Sequence, residues 1–316
     1  MYATDPSHRA TATSRLQGSP ALVTGQLRTS GGLTAQLHAP AGATALVVLS
    51  HGLYLSHRSW SGVMAGLTGL AEQIAGNRRV AVLAYDHRGH GVNAGLVGNP
   101  DSHSDTDPAL GLDLLACDLA DVLRSAWDFV GQIPTVLVGH SLGSMAGLTA
   151  LTGQLTSADR DNLVGLTLVS SSAGALTGGM LLRALPVVAG VHPGIYGYGQ
   201  KLIRAALSPL IGKPAAAGGP GSAACQMSLS ALAAAQLLGS LGAYNIIDKL
   251  SAALDGLATE VLCGSADRIT PVSHSQIIAD AAPQARLTVL DGAGHDLPAQ
   301  APEQITSAVT RLLAAA

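Results

Sequence analysis

Short runs that are apolar at successive positions recur along the chain and alternate with stretches of helical period. Ala45-Leu-Val-Val-Leu-Ser50, Val80-Ala-Val-Leu-Ala-Tyr85, Thr135-Val-Leu-Val138, Leu163-Val-Gly-Leu-Thr-Leu-Val169 and Thr259-Glu-Val-Leu-Cys-Gly264 have this character. Such runs fit strands buried on both faces of a parallel sheet. Arg286–Leu290 is a further strand candidate. Helical spacing appears over residues 60–75, over Leu110–Val130, over Pro271–Ala282, and over Pro302–Leu313, where Pro occupies the first turn. Two weaker strands, Leu22–Thr29 and Leu33–His38, flank Ser30-Gly-Gly32, a hairpin signal. Strands that alternate with helices predict an α/β chain built on a doubly wound, mostly parallel sheet.

The alternation fails in two places. Residues 1–20 are polar and contain Pro6, Gly18 and Pro20, as a loose leader would. From Ser171 to about Gly242, glycine-rich patches separate helix-like apolar pieces, which reads as a helical insertion. The expected organisation is therefore a leader over 1–20, a first core part over 21–171, the insertion over 172–242 and a second core part over 243–316. The chain shows no internal repeat.

Composition narrows the class. Of 316 residues, 47% are hydrophobic and 12% charged, with a mean hydropathy of +0.34. This excludes disorder and leaves a buried-sheet protein or a membrane association. No run approaches the roughly eighteen uninterrupted apolar residues of a spanning helix. The first residues carry no basic segment followed by an apolar core, so no signal peptide is visible and a cytoplasmic location is expected. A net charge of −3 offers nucleic acid no basic face. Cys117, Cys225 and Cys263 are odd in number and widely separated, against a disulfide framework or a CxxC metal site.

The candidate chemistry lies at Gly139-His-Ser-Leu-Gly143, between the strand ending at Val138 and a helix-compatible stretch. A G-x-S-x-G pattern alone is weak evidence. Between a strand and a helix it places Ser141 at the apex of a sharp turn, with glycines where a Cβ would collide. The Leu142 N–H then lies at a helix N-terminus, unpaired and able to face a developing oxyanion. Two more segments put reactive groups at strand ends. His295 lies in Asp291-Gly-Ala-Gly-His-Asp296, and Asp267 in Gly264-Ser-Ala-Asp-Arg-Ile-Thr-Pro271. Each has a structural alternative, a surface turn histidine and a helix-capping aspartate respectively. A serine relay needs both an imidazole to take the hydroxyl proton and a carboxylate to fix its tautomer. The order Ser141, Asp267, His295 matches one known arrangement of such groups.

These pieces, with Ser50-His-Gly-Leu53 and Tyr85-Asp-His-Arg-Gly-His-Gly91, resemble those of α/β-hydrolases. The resemblance is to the branch of monoacylglycerol lipases, lysophospholipases and small bacterial esterases. It covers nearly the whole chain except the leader and the insertion, and implies an α/β-hydrolase fold. In it Ser141 would be the nucleophile, Asp267 the acid and His295 the base, with the N–H groups of Leu53 and Leu142 as the oxyanion hole. The insertion would be a helical cap, with Leu181, Leu185 and Ile203 among the residues offering an apolar acyl pocket. His51 and His140 are assigned to the substrate site, His51 shaping the oxyanion loop and His140 packing against or lining the pocket. His87 and His90 form H-x-x-H, but the resemblance makes their loop structural, and no metal is expected. Gly197-Tyr-Gly199 lacks the third glycine of a dinucleotide fingerprint. No cofactor is expected.

The reaction so implied is hydrolysis of a carboxylic ester, an acyl glycerol or a small apolar ester, through an acyl-enzyme, with no nucleic-acid partner, no integral membrane segment, and a homodimer left open. Acyl transfer, thioester cleavage and cofactor-free chemistry in secondary metabolism use the same triad. A ligand-binding receptor on this fold is a rival from another class. The acid is the assignment most open to test, because Asp291 and Asp296 lie nearer His295 in sequence than Asp267 does. Asp267→Asn is expected to cut kcat by up to roughly four orders of magnitude at unchanged Tm. Asp291→Asn and Asp296→Asn should keep most turnover. Comparing kcat of the three variants checks the choice.

Overall fold

The computed structural model describes residues 22–69, 79–96, 110–176, 229 and 231–316. The leader, most of the insertion and its pocket candidates Leu181, Leu185 and Ile203 lie outside them. Eight strands form one sheet: β1 (Leu22–Arg28), β2 (Thr34–Pro40), β3 (Ala45–Ser50), β4 (Val80–Tyr85), β5 (Thr135–His140), β6 (Leu163–Val169), β7 (Thr259–Gly264) and β8 (Arg286–Leu290). Their spatial order is β1-β2-β4-β3-β5-β6-β7-β8. The hairpin β1–β2 and the pair β2–β4 are antiparallel, and all other pairs are parallel. This is the α/β-hydrolase fold.

Alternation within each strand divides the apolar residues between two cores. Leu46, Val48, Ala81, Leu83 and Leu137 point to one face, where they meet Leu115, Leu119 and Leu123 of helix α1, taken here as Leu112–Val130. Val47, Leu49, Val82, Val136 and Val138 point to the other, towards Trp60 and the Ile305, Val309 and Leu312 side chains of the C-terminal helix Pro302–Ala315. Helix α1 buries a stripe at helical spacing and ends at Gly131, whose φ of +97° a side chain would resist. Edge strand β8 is only partly covered, with Arg286 and Val289 exposed. Among the described residues no helix is long and apolar enough to cross a membrane.

Strand order sets the location of the site. From β3 the chain moves outward to β4, then returns past β3 to build β5 on the opposite side. The order thus reverses between β3 and β5, where open α/β sheets leave a crevice at the carboxyl ends. Register brings those ends level: Ser50 pairs with Gly139, His140 with Val169, and Gly264 with Leu290.

Among the described residues the sequence reading missed three short α-helices, one of them Leu297–Gln300, just after His295. Ser157–Asp161 begins at Thr156, whose hydroxyl accepts from the Asp159 N–H while the Asp159 carboxylate accepts from the Thr156 N–H. Leu250–Leu254 has no such cap, and is held by the burial of Leu250, Ala253 and Leu254. The described end of the insertion is a helix, Ala231–Ala243. It is tied to the core by Ser240, which accepts from the Leu112 N–H (3.0 Å), and by Tyr244, whose hydroxyl donates to the Met145 carbonyl (3.3 Å).

Candidate active site

Ser141 joins β5 to helix α2 (Leu142–Leu151) at φ +50° and ψ −113°, a conformation that a side chain normally avoids. Neighbouring contacts hold it there. Its N–H donates to the Val169 carbonyl (2.9 Å), and its carbonyl accepts the first helical bond from Met145 (3.1 Å). The flanking glycines are required by backbone approach. A Cβ on Gly139 would lie 2.5 Å from the Ser144 Cα, and one on Gly143 would lie 2.2 Å from the Ser50 carbonyl oxygen. Ser144 adds a crossbrace by donating to the Gly139 carbonyl (2.6 Å).

The Asp267 and His295 loops are joined by the same kind of contact. A Cβ on Gly264 would sit 2.1 Å from the Ala293 carbonyl oxygen. With glycine there, Ser265 N–H reaches the Leu290 carbonyl and Ala266 N–H the Ala293 carbonyl, both at 2.9 Å. Stitched in this way, the loops bring three distant side chains into one hydrogen-bonded row. Ser141 Oγ lies 2.9 Å from His295 Nε2, and His295 Nδ1 lies 2.8 Å from Asp267 Oδ2. All three residues are buried. In this geometry an imidazole can take a hydroxyl proton at one nitrogen while a carboxylate holds the proton on the other.

Asp267 is fixed from several sides. Its Oδ1 accepts from the N–H groups of Ile269 (2.8 Å) and Thr270 (2.9 Å), and its Oδ2 from the Thr270 hydroxyl (2.8 Å). Burial alone would raise its pKa, but the His295 hydrogen bond and charge and the Thr270 bonds outweigh it, leaving the carboxyl below its usual range. Asp291 is exposed and accepts from the Ser265 hydroxyl (3.2 Å). Asp296 has a buried Oδ1 with no hydrogen-bond partner among the described residues, and burial raises its pKa.

The Leu142 N–H opens helix α2 and has no carbonyl one turn back to bond. Leu53 stands in the loop after β3, which lies against the elbow through Gly143. His51 and His140 are committed within the protein. His51 Nδ1 donates to the Gly52 carbonyl (2.7 Å), and its Nε2 accepts from the His87 N–H (2.9 Å). His140 Nε2 donates to the His295 carbonyl (2.9 Å).

The Asp86–Gly91 loop supports the loop that follows β3. His87 Nε2 donates to the His51 carbonyl (2.9 Å) and is 3.2 Å from the Ser50 hydroxyl. Asp86 accepts from the His57 N–H (2.5 Å), His57 Nδ1 (2.9 Å) and the Val92 N–H (2.7 Å). Arg88 makes a two-pronged ion pair with Asp118 (2.9 and 2.7 Å). His90 Nδ1 donates to the Arg88 carbonyl (3.1 Å). Burial, with their mutual repulsion, pushes His87 down to about 3, and burial pushes His90 down to about 4. Burial, then His295, brings His140 to about 3, and His51 is lowered strongly, again chiefly by burial.

Sequence reasoning did not single out Thr270, Ser170 or Ser144. Thr270 had a legible signal, a hydroxyl three residues after the carboxylate that it could cap. Ser144 and Ser170 act across strands, and nothing in their local sequence announces it.

The chain belongs to the alpha/beta hydrolase family, whose model matches residues 47–308. Among solved structures it is similar to a thermophilic esterase from Thermogutta terrifontis, at 21% identity and a TM-score of 0.65, over 92% of this chain and 98% of that one. An esterase from Exiguobacterium antarcticum is similar at 15% identity and a TM-score of 0.68, over 92% of this chain and all of that one. A proline iminopeptidase from Mycobacterium smegmatis is similar at 18% identity and a TM-score of 0.60, over 93% and 100%. At these identities the likeness is one of fold. No curated protein matches the chain in sequence.

Two expectations follow. Unfolded, the four buried histidines would protonate below about pH 6.5, whereas folded they stay neutral to far lower pH. Below that point the unfolded chain binds more protons, so their contribution to stability is complete above about pH 6.5 and drains away beneath it. The loss is on the order of 1 kcal/mol per histidine per pH unit. Tm should fall steadily from about pH 6.5 to about pH 5, and His90→Asn, which keeps a donor near the Arg88 carbonyl, should make the fall shallower. A flat Tm over that range would contradict the assignment. Thr270→Val, which removes one donor from Asp267 at nearly constant shape, should slow the reaction of Ser141 with a fluorophosphonate by about tenfold. Labelling rates of the two proteins, each folded to the same Tm, measure this.

Proposed function

We propose that this protein is a serine hydrolase that cleaves carboxylic esters through an acyl-enzyme. The observation that carries the reading is the Ser141–His295–Asp267 row, with contacts of 2.9 and 2.8 Å, at the crest of a strained strand-to-helix turn. In this mechanism Ser141 Oγ attacks the ester carbonyl as its proton passes to His295 Nε2. Asp267 steadies the imidazolium through Nδ1–H. The new oxyanion is met by the N–H groups of Leu53 and Leu142. As the tetrahedral intermediate collapses, His295 gives its proton to the leaving alcohol, and the acyl group stays on Ser141. Water then attacks the acyl carbonyl, its proton passing to His295, and collapse releases the acid and returns the proton to Ser141.

The segment over 172–242 is assigned as the cap. Just past the helix Ala231–Ala243, the Tyr244 hydroxyl donates to the carbonyl of Met145 (3.3 Å), one turn after the serine, which supports a place for the end of this segment beside the site. On this reading the substrate is an acyl glycerol or a small apolar ester. His51 and His140 serve the loops around the pocket, because their donors are already engaged with backbone carbonyls.

A fluorophosphonate probe should label the protein once, at Ser141, and Ser141→Ala should abolish both the labelling and the hydrolysis of p-nitrophenyl esters. Chelators should leave turnover unchanged. Labelling that persists in Ser141→Ala would remove the proposal. Preferential transfer of the acyl group to an added alcohol or thiol would move it to acyl transfer, and cleavage of an aminoacyl arylamide in preference to the esters would move it to peptidase chemistry.

A further inference from the structure

We infer that His140 and Ser170 are positioning residues that grip the main-chain carbonyl of His295 and so fix the base against Ser141. The catalytic meaning of this grip rests on the ester-hydrolase reading above. Its geometry does not.

The carbonyl oxygen of His295 accepts three hydrogen bonds. One is local, from the Leu297 N–H (3.1 Å). The other two come from side chains at the ends of neighbouring strands: His140 Nε2 (2.9 Å), at the end of β5, and Ser170 Oγ (2.9 Å), just past β6. His295 sits in a loop that needs such support. It follows Gly292-Ala-Gly294, a segment with much backbone freedom to lose, and Gly292 takes φ +68°. Ser265, Ala266 and Gln300 hold the stretch before His295, through the Gly292 N–H (2.8 Å), the Ala293 carbonyl (2.9 Å) and the Gly294 N–H (2.8 Å), and the two side-chain donors extend that hold to the His295 carbonyl itself.

His140 is the residue before Ser141, so one stretch of backbone carries the nucleophile and holds the base. The Ser141–His295 contact closes one side of a ring of atoms, and the bond from His140 to the His295 carbonyl closes the other. A carbonyl can only accept, which places the His140 proton on Nε2 and leaves Nδ1 bare. Nδ1 is buried and has no partner among the described residues. It lies against Gly52, where a Cβ would come within 2.7 Å of it, so a side chain at position 52 would displace the imidazole and glycine leaves it room. Ser170 is held as firmly. Its φ is +48°, unusual for serine, and its N–H donates to the Leu262 carbonyl (2.8 Å). That turn aims the hydroxyl across the sheet at His295.

Two pairs of variants test the grip. At position 140, glutamine carries an N–H at the reach of Nε2, whereas asparagine carries one only at the reach of Nδ1. At position 170, alanine removes the hydroxyl, and glycine removes it while also relieving the positive φ. His140→Gln should keep kcat within about threefold of the parent. His140→Asn, Ser170→Ala and Ser170→Gly should each lower kcat by about 10- to 100-fold with KM nearly unchanged. In those three the downfield proton resonance of His295 Nδ1–H should broaden or vanish, and in His140→Gln it should persist. Tm is recorded for every variant, and Ser170→Gly, freed of backbone strain, guards against a folding defect. The inference is overturned if Ser170→Gly and His140→Asn keep the parental kcat and resonance, or if glutamine fails as badly as asparagine. If the parent protein neither labels at Ser141 nor hydrolyses esters, the hydrolase reading fails. The resonance then still decides whether the carbonyl is gripped.

Discussion

Everything at the reactive edge depends on three places where backbone meets backbone at a distance that excludes a side chain. Gly139 lies against the first turn of the following helix, Gly143 against the carbonyls of Ser50 and His51, and Gly264 against the loop that carries His295. These contacts bring three separate strand ends together closely enough for side chains to meet. They also make the positive φ of Ser141 tolerable. Such a conformation costs roughly 1–3 kcal/mol in isolation and persists only where its surroundings over-determine it. The parallel sheet supplies that determination, because β5 is clamped between β3 and β6 along its length.

Around this frame the protein buries polar groups and pairs many of them, leaving the Nδ1 atoms of His87 and His140 and the Oδ1 of Asp296 without a partner among the described residues. The Asp267 carboxylate has donors on both oxygens, and Asp86 is similarly enclosed. The imidazoles of His51, His87 and His90 act as neutral struts, each with a tautomer dictated by the carbonyl or N–H it faces. A neutral histidine suits this task because it offers one donor and one acceptor on a rigid plane. The arrangement also makes the frame sensitive to protonation at sites that do not touch the reacting atoms.

Much of this was legible in the sequence, for physical reasons. Strands buried on both faces must be apolar at successive positions, so β3, β4, β5, β6 and β7 were readable almost to the residue. The pairing of Ser141 with His295 and Asp267 could be expected because each lies just beyond such a run. What stayed hidden acts through space. Thr156 and Asp159 form a cap on a helix too short to show a period. Ser170 lies in a run of three serines, and only the sheet reveals that one of them reaches His295. His140 looked like a pocket residue because it adjoins the serine, yet its one donor points to the backbone of a loop far away in the chain.

The insertion has a consequence for how such a chain can change over generations. β6 and β7 are hydrogen-bonded neighbours, so the segment between Val169 and Thr259 leaves and re-enters the sheet at adjacent points. The entropic cost of closing such an excursion grows only with the logarithm of its length, about 0.6 kcal/mol for each doubling. Away from Ser170 and the buried helix Ala231–Ala243, residues can therefore be added or lost within this excursion at little expense to the sheet, while Ser141, Asp267 and His295 stay tied to the strand ends. On the proposal that this segment is the cap, selection can rework access to the serine independently of the groups at the strand ends.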